Sequence, residues 1–357
     1  MAPLDLSASS IELTRRLCDL ESVSGNEKAI ADEIEQALNR MPHLDVLRDG
    51  DLIVARTQLG RARRVVIAGH IDTVPVNGNL PTRFETVDGV EYLWGRGTVD
   101  MKPGVAVALK LAAELSSPSV DVTWLFYDNE EVTSDLNGLA RLARTRPELL
   151  AGDFAILGEP SNGAVEGGCN GTMRFDVITR GKRAHSARAW MGENAIHKAA
   201  PILQLLADFE PETLTVDGLD YRESLNAVLV SGGVAGNVIP DECRVHVNYR
   251  FAPSRSAEQA EAKMRALFEP LGEFELKDMS PGARPGLDDP LAREFLDAVG
   301  LEAKPKYGWT DVARFSALGI PAVNFGPGDP SLAHADDERV PVEQITACEE
   351  ALRAWLS

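Results

Sequence analysis

Three apolar runs, RVVIAG (64–69), VDVTWLFY (120–127) and DFAIL (153–157), are mostly β-branched, aliphatic or aromatic. Runs of this kind predict strands buried on both faces of a sheet. Between the first two, PGVAVALKLAAELS (103–116) is an Ala/Leu-rich helix candidate. Its Pro103 falls near the first turn, where a missing N–H costs no helical bond. The alternation predicts βαβ units and a largely parallel sheet with helices on both faces, an α/β domain. The opening stretch MAPLDLSASSIELTRRLCDLESVSG reads as a capped amphipathic helix, without the basic start and apolar middle of a signal peptide.

From about residue 173 the pattern changes. RFDVITRG is a strand, ENAIHKAAPILQLLADF a helix, NAVLVSGG and CRVHVNYRF are strands, SAEQAEAKMRALFEPL is a helix and EFELKD a last strand. That order, β-α-β-β-α-β, is the ferredoxin-like arrangement and predicts an inserted α+β domain over 173–283. The chain then returns to α/β character, with helices at DPLAREFLDAV, TDVARFSAL and PVEQITACEEALRAWL and a strand at PAVNFG. Residues 1–172 and 284–357 are thus expected to form the first domain.

At 357 residues the chain exceeds the ~100–200 residues of one domain, which fits this division. Its 55 acidic against 36 basic residues leave a formal charge of −19. Such a balance argues against nucleic acid or an anionic membrane as partner, both of which need basic patches. No apolar run approaches the ~20 residues of a membrane span. The four cysteines, Cys18, Cys169, Cys243 and Cys348, form no CxxC pair. Neither a disulfide framework nor a thiolate zinc site is expected, and the protein reads as cytoplasmic.

The apolar strands end in polar residues. RRVVIAGHIDTVP runs into His70 and Asp72, WLFYDNEEV into Glu130 and Glu131, DFAILGEP into Glu159, and PAVNFGPGDPSLAH leads to His334. Asp100, in WGRGTVDMKPG, precedes the Ala-rich helix. Ligands of open α/β sheets bind outside the carboxyl ends of the strands, so these residues are expected at one edge. Two carboxylates 4 Å apart repel by ~4 kcal/mol at an effective dielectric near 20. In a cluster of five, either some acids are protonated or cations sit among them; two metal ions explain the load best, and histidine with carboxylate suits zinc, with cobalt or manganese as alternatives.

The segments GHIDTVP, GRGTVDMKPG, NEEV, GEP, GKRAHSARAWMGENAI, NVIPD, GWTDVARF and AHADDERV occur in that order along nearly the whole chain. Together they resemble the co-catalytic di-zinc metallohydrolases, a family that includes aminoacylases, glutamate carboxypeptidases, acetylornithine deacetylases and succinyl-diaminopimelate desuccinylases. The resemblance implies a pair of zinc ions per subunit. Asp100 resembles the bridging ligand, His70 and Glu159 the other ligands of one ion, and Glu131 and His334 those of the other. It further implies Glu130 as general base, Asp72 as the acid that orients His70, and His185 as a donor to the developing oxyanion, reaching across a homodimer. Asn237, Arg250 and Thr310 match positions that hold the substrate, and Arg188 is a weaker candidate. The inserted domain corresponds to the family's lid and dimerisation domain.

Within the family, LGEPSNGAVEGGCNGTMRF with FYDNEEV and HADDERV looks most like the branch that hydrolyses N-succinyl-LL-2,6-diaminopimelate. The second reading is an acetylornithine deacetylase or another N-acyl-amino-acid hydrolase. One departure stands out: Asn170 occupies a position where some desuccinylases carry an arginine. A reading of another class, a non-catalytic metal- or peptide-binding relative, is opposed by the presence of Glu130 beside complete ligands. No G-x-S-x-G elbow points to a serine hydrolase.

Overall fold

The computed structural model describes residues 3–357; Met1 and Ala2, the start of the expected N-terminal segment, lie outside the described residues. The chain divides into two compact units. The larger runs to Gly167 and takes in Pro285–Lys304 and Thr310–Ser357; the smaller is Gly168–Arg284 with Pro305–Trp309.

In the larger unit the β-branched runs become the centre of a sheet. The strands Asp121–Tyr127, Arg64–His70, Phe154–Leu157 and Ala322–Asn324 lie side by side in that order. All are mutually parallel. Their interior is buried throughout, as continuous apolar strands require. Antiparallel strands flank this centre: Leu52–Arg56 pairs with Asp121–Tyr127, and Glu166–Gly167 with Ala322–Asn324. The chain passes from Arg64–His70 to a neighbour on one side and then to Phe154–Leu157 on the other, which makes the end of Arg64–His70 a topological switch point.

The helix Lys102–Glu114 is buried along most of its length, since Ala and Val at 105–108 leave no polar face to expose. Its first turn lies directly against the end of Phe154–Leu157. A Cβ on Gly104 would meet the Gly158 carbonyl at 2.2 Å, and one on Gly326 would meet the same atom at 2.2 Å. Glycine at both positions is what lets the backbone before Glu159 sit so close to the helix.

The smaller unit is an antiparallel sheet in the order Ser224–Gly232, Glu242–Phe251, Gly171–Arg180, Glu273–Ser280. Period-two alternation sends Cys243, Val245, Val247, Tyr249 and Phe251 into the core, and leaves Arg244, His246, Asn248 and Arg250 on the opposite face. The helix expected over 193–209 is divided into Ala195–Lys198 and Ala200–Ala207, because Pro201 removes a donor inside the run. A hairpin absent from the sequence reading, Thr213–Val216 with Leu219–Arg222, turns on Asp217 and Gly218 at φ 49° and 86°. Asp-Gly is the sequence that favours such a two-residue turn.

Candidate metal centre

Three strand ends, one helix start and the loop that carries His334 bring the polar residues of the larger unit together. His70 closes the strand Arg64–His70, in register with Tyr127 on its neighbour. Glu130 and Glu131 lie just beyond Tyr127, Glu159 just beyond Leu157, and Asp100 just before the helix Lys102–Glu114. Asn129 and His334 adopt left-handed backbone, with φ 58° and 65°. That conformation costs a non-glycine residue of order 1 kcal/mol, and here it turns the following glutamates and the His334 imidazole toward the cluster.

Asp100 stands between two imidazoles. Its Oδ1 is 3.0 Å from His70 Nε2 and its Oδ2 is 3.5 Å from His334 Nε2. Glu131 Oε1 approaches His334 Nε2 at 3.0 Å. Ligating atoms of His70, Asp100 and Glu131 all lie within 4.8 Å of one another, a grouping that can hold a metal ion. Glu159 is buried, and its charge is felt by Glu130.

Asp72 ties the cluster together from beneath. The strand ends at His70, so strand alternation does not set how the two residues meet. Instead His70 Nδ1 lies 3.1 Å from the Asp72 carbonyl oxygen and 3.4 Å from its carboxylate. The same carboxylate accepts the N–H of Glu130 at 3.0 Å, the N–H of Glu131 at 3.1 Å and the Ser24 hydroxyl at 2.7 Å. One buried acid therefore fixes the His70 ring and the glutamate pair at once, leaving His70 Nε2 aimed into the site.

The charges are strongly perturbed. Burial works against the charged form of Asp100, but hydrogen bonds from His334 and His70 outweigh it and hold the carboxyl well below its usual range. Contacts with Asp100 and Glu131 push the His334 imidazole up to about 10. Glu130 is raised well above the usual carboxylate value, first by burial and then by Asp311, Glu159 and Glu131, against the opposing pull of His70. Among the described residues, no lysine or arginine is ion-paired with Asp72, Asp100, Glu130 or Glu131; their recorded partners are imidazoles, a hydroxyl and backbone N–H groups. Four carboxylates against two imidazoles leave a net negative charge even with both rings protonated. This donor set fits divalent cations of the zinc type.

Residues that sequence reasoning passed over complete the support. Glu338, only 1% exposed, accepts the N–H groups of Val99 at 2.8 Å and Asp100 at 3.2 Å while pairing with Arg96 at 2.8 Å. It lies inside the AHADDERV segment, but nothing in its spacing announces a partner more than two hundred positions away. Glu27, also buried, accepts the N–H of Asn129 at 3.1 Å and so supports the turn before Glu130. Thr310 is buried and donates its hydroxyl to Asn324 at 3.0 Å.

In the smaller unit, His185 is exposed and its Nδ1 accepts the Ala187 N–H at 3.1 Å. Its segment is pinned to Asn237 by the Ser186 N–H, which donates to the Asn237 carbonyl at 3.0 Å, and His185 bridges Val238. Arg188 is exposed in the short turn Ser186–Met191. Arg250 lies on the strand Glu242–Phe251, where its Nε donates to Asn248 Oδ1 at 3.1 Å.

Residues 66–357 match peptidase family M20/M25/M40. A Mycobacterium tuberculosis protein provisionally named succinyl-diaminopimelate desuccinylase is 51% identical over 355 residues, 99% of each chain. The succinyl-diaminopimelate desuccinylase of Corynebacterium glutamicum is 48% identical over 364 residues, 99% of this chain and 98% of its own. An M20 family metallo-carboxypeptidase from Sulfolobus solfataricus shares the fold, with a TM-score of 0.78 at 15% identity over 98% of both chains.

Proposed function

Because this chain belongs to peptidase family M20/M25/M40, we propose that it is a metal-dependent amide hydrolase that splits N-succinyl-LL-2,6-diaminopimelate into succinate and LL-diaminopimelate. The chemistry rests on one observation above all: Asp100 offers one carboxylate oxygen to each of two histidines in a partly buried cluster where, among the described residues, Asp72, Asp100, Glu130 and Glu131 have no lysine or arginine as ion-pair partner. The substrate follows from near-half identity, end to end, with the desuccinylases. This places the activity in diaminopimelate and lysine biosynthesis.

In this reading His70, Asp100 and Glu159 hold one divalent ion, and Asp100, Glu131 and His334 the other; zinc is the expected metal, with cobalt or manganese able to substitute. When bound, such a pair lowers the pKa of water and polarises the amide carbonyl. Glu130 takes the proton of the attacking water and hands it to the departing amine. Its raised affinity for a proton, set first by burial, suits a base that must also act as an acid. Asp72 keeps His70 and both glutamates in position. His185 donates to the oxyanion, and Asn237, Arg250 and Thr310 grip the substrate.

The inserted unit serves as lid and dimerisation domain. Its strand Ser224–Gly232 lies at the sheet edge and exposes Val228, Leu229 and Val230 at 52%, 69% and 53%. An open apolar edge of this kind invites pairing, and a second copy of the chain is the partner. Sedimentation would give a dimer, with Leu229→Lys shifting it toward monomer. Assay of the purified protein on N-succinyl-LL-diaminopimelate and N-acetylornithine tests the central reading: preference for the former is expected, and preference for the latter overturns the assignment.

A further inference from the structure

Within the larger unit, the segment that carries His334 is tied to the loop that carries Asp100 by a short sheet and a buried ion pair. The strand Arg339–Pro341 pairs antiparallel with Val90–Trp94, with Arg339 opposite Trp94. The ladder runs on past the strand ends, where the Gly95 N–H donates to the Glu338 carbonyl at 3.0 Å. Arg96 comes next, and its side chain meets the same segment. Its Nη1 donates to the Glu338 carboxylate at 2.8 Å and to the Ala335 carbonyl at 3.2 Å, while its Nε donates to the Pro75 carbonyl at 3.2 Å. One guanidinium thus spans three stretches of chain: the loop after Asp72, the residue beside His334, and the acid that holds the Val99 and Asp100 N–H groups. Arginine suits this place because its donors form a rigid planar fork, which a lysine ammonium cannot reproduce.

Arg96 and Glu338 are 4% and 1% exposed. A buried ion pair contributes little net stability, since desolvation offsets the attraction, so the product of this one is position. His334 needs such help. It lies on an irregular loop in left-handed backbone, φ 65°, and its ring is 52% exposed, so neither regular structure nor burial holds it. Asp100 is better anchored, by Glu338 through its own N–H and by the helix Lys102–Glu114 that begins just after it. His70 and Glu159 are set by the ends of buried strands.

We infer that Arg96 is a positioning residue for His334, acting through the Ala335 carbonyl, and that its guanidinium decides whether the second divalent ion is held. The inference rests on the two-ion reading above and adds that the two sites are unequal. The site of His70, Asp100 and Glu159 is complete without Arg96; that of Asp100, Glu131 and His334 is complete only while Arg96 bridges the His334 loop. Arg96 is not itself a ligand.

Arg96→Met would leave Glu338 buried without its cation and endanger the fold, so Arg96→Lys is the test: it keeps a charge beside Glu338 and loses the fork. Zinc titration of the chelated protein by calorimetry, with elemental analysis, reads the two sites apart from turnover. The unsubstituted protein takes up two ions. In Arg96→Lys one ion binds within about threefold of its original affinity and the other about 10–100-fold more weakly, the cost of removing a partner that orients a ligand. In a His334→Ala background, which already lacks that ligand, Arg96→Lys leaves the remaining ion's affinity unchanged, because the two substitutions act on one element. A role in the fold alone would weaken both ions together, and would weaken the remaining ion in the His334→Ala background as well. Either result overturns the proposal, as do two ions held undiminished by Arg96→Lys, which would leave the two-ion reading standing. An unsubstituted protein that takes up no ion would sink that reading and the inference with it.

Discussion

Two groups of acids in this molecule, one buried and one partly so, solve the same electrostatic problem differently. In the smaller unit Glu223 is fully buried and meets Arg255 at 2.6 Å and Lys263 at 3.2 Å, with a tyrosine hydroxyl and a backbone N–H besides. Asp176 is likewise answered by Arg244, His246 and Lys277. The fold neutralises these charges from within. In the larger unit Asp72, Asp100, Glu130 and Glu131 share two imidazoles and, among the described residues, have no lysine or arginine as ion-pair partner. A buried carboxylate with a cation of its own is architecture. On the reading proposed above, a set of carboxylates without one is a site whose missing charge comes from outside the chain.

The largest effect that would break this contrast is at Asp100. Asp100→Asn removes the one carboxylate shared by His70 and His334, and turnover should fall to background with loss of bound metal, measured by assay and elemental analysis together. Glu130→Gln should cost about 10²–10⁴-fold in kcat while metal content is preserved, since Glu130 is proposed as the general base and lies outside the proposed ligand set. Unchanged turnover would refute its role. Asp72→Asn should weaken metal affinity or activity about 10–100-fold, because it loosens His70 and the two glutamates without touching the metal itself.

Glu223→Gln sharpens the comparison from the other side. It removes the buried one of the two carboxylates that Arg255 and Lys263 meet, Glu212 remaining, and should destabilise the protein by about 1–3 kcal/mol, less than a wholly buried pair because both cations are partly exposed. Thermal unfolding checks this, and stoichiometric metal should remain.

The smallest effect concerns pH. In metal-stripped protein His334 has its affinity for a proton raised from 6.5 to about 10. Its contribution to stability is then complete below the unfolded value near 6.5 and is lost as pH rises toward 10. If His334 is a neutral ligand of the metal-loaded protein, as proposed, that form should lack the loss. Denaturation of both forms across this window would show it.

Much of the parallel sheet was legible because its strands are continuous apolar runs, and each candidate at a strand end was found by asking where such a run meets charge. What escaped was held by backbone rather than pattern. Ser24, Glu27 and Glu338 act on N–H groups or on another acid far along the chain, and no periodicity links them to Asp72, Asn129 or Asp100. The Asp217-Gly218 turn carried a readable signal that the flanking strands, four residues each, were too short to reinforce. The divided helix at Pro201 was readable in the same way, from the proline alone.

Zinc titration of the chelated protein, followed by calorimetry and elemental analysis, tests the charge-deficit argument most directly. It should take up about two divalent ions per chain and regain hydrolysis of the succinylated substrate with them. A protein that binds no stoichiometric ion, or that hydrolyses this substrate undiminished after chelation, would contradict it.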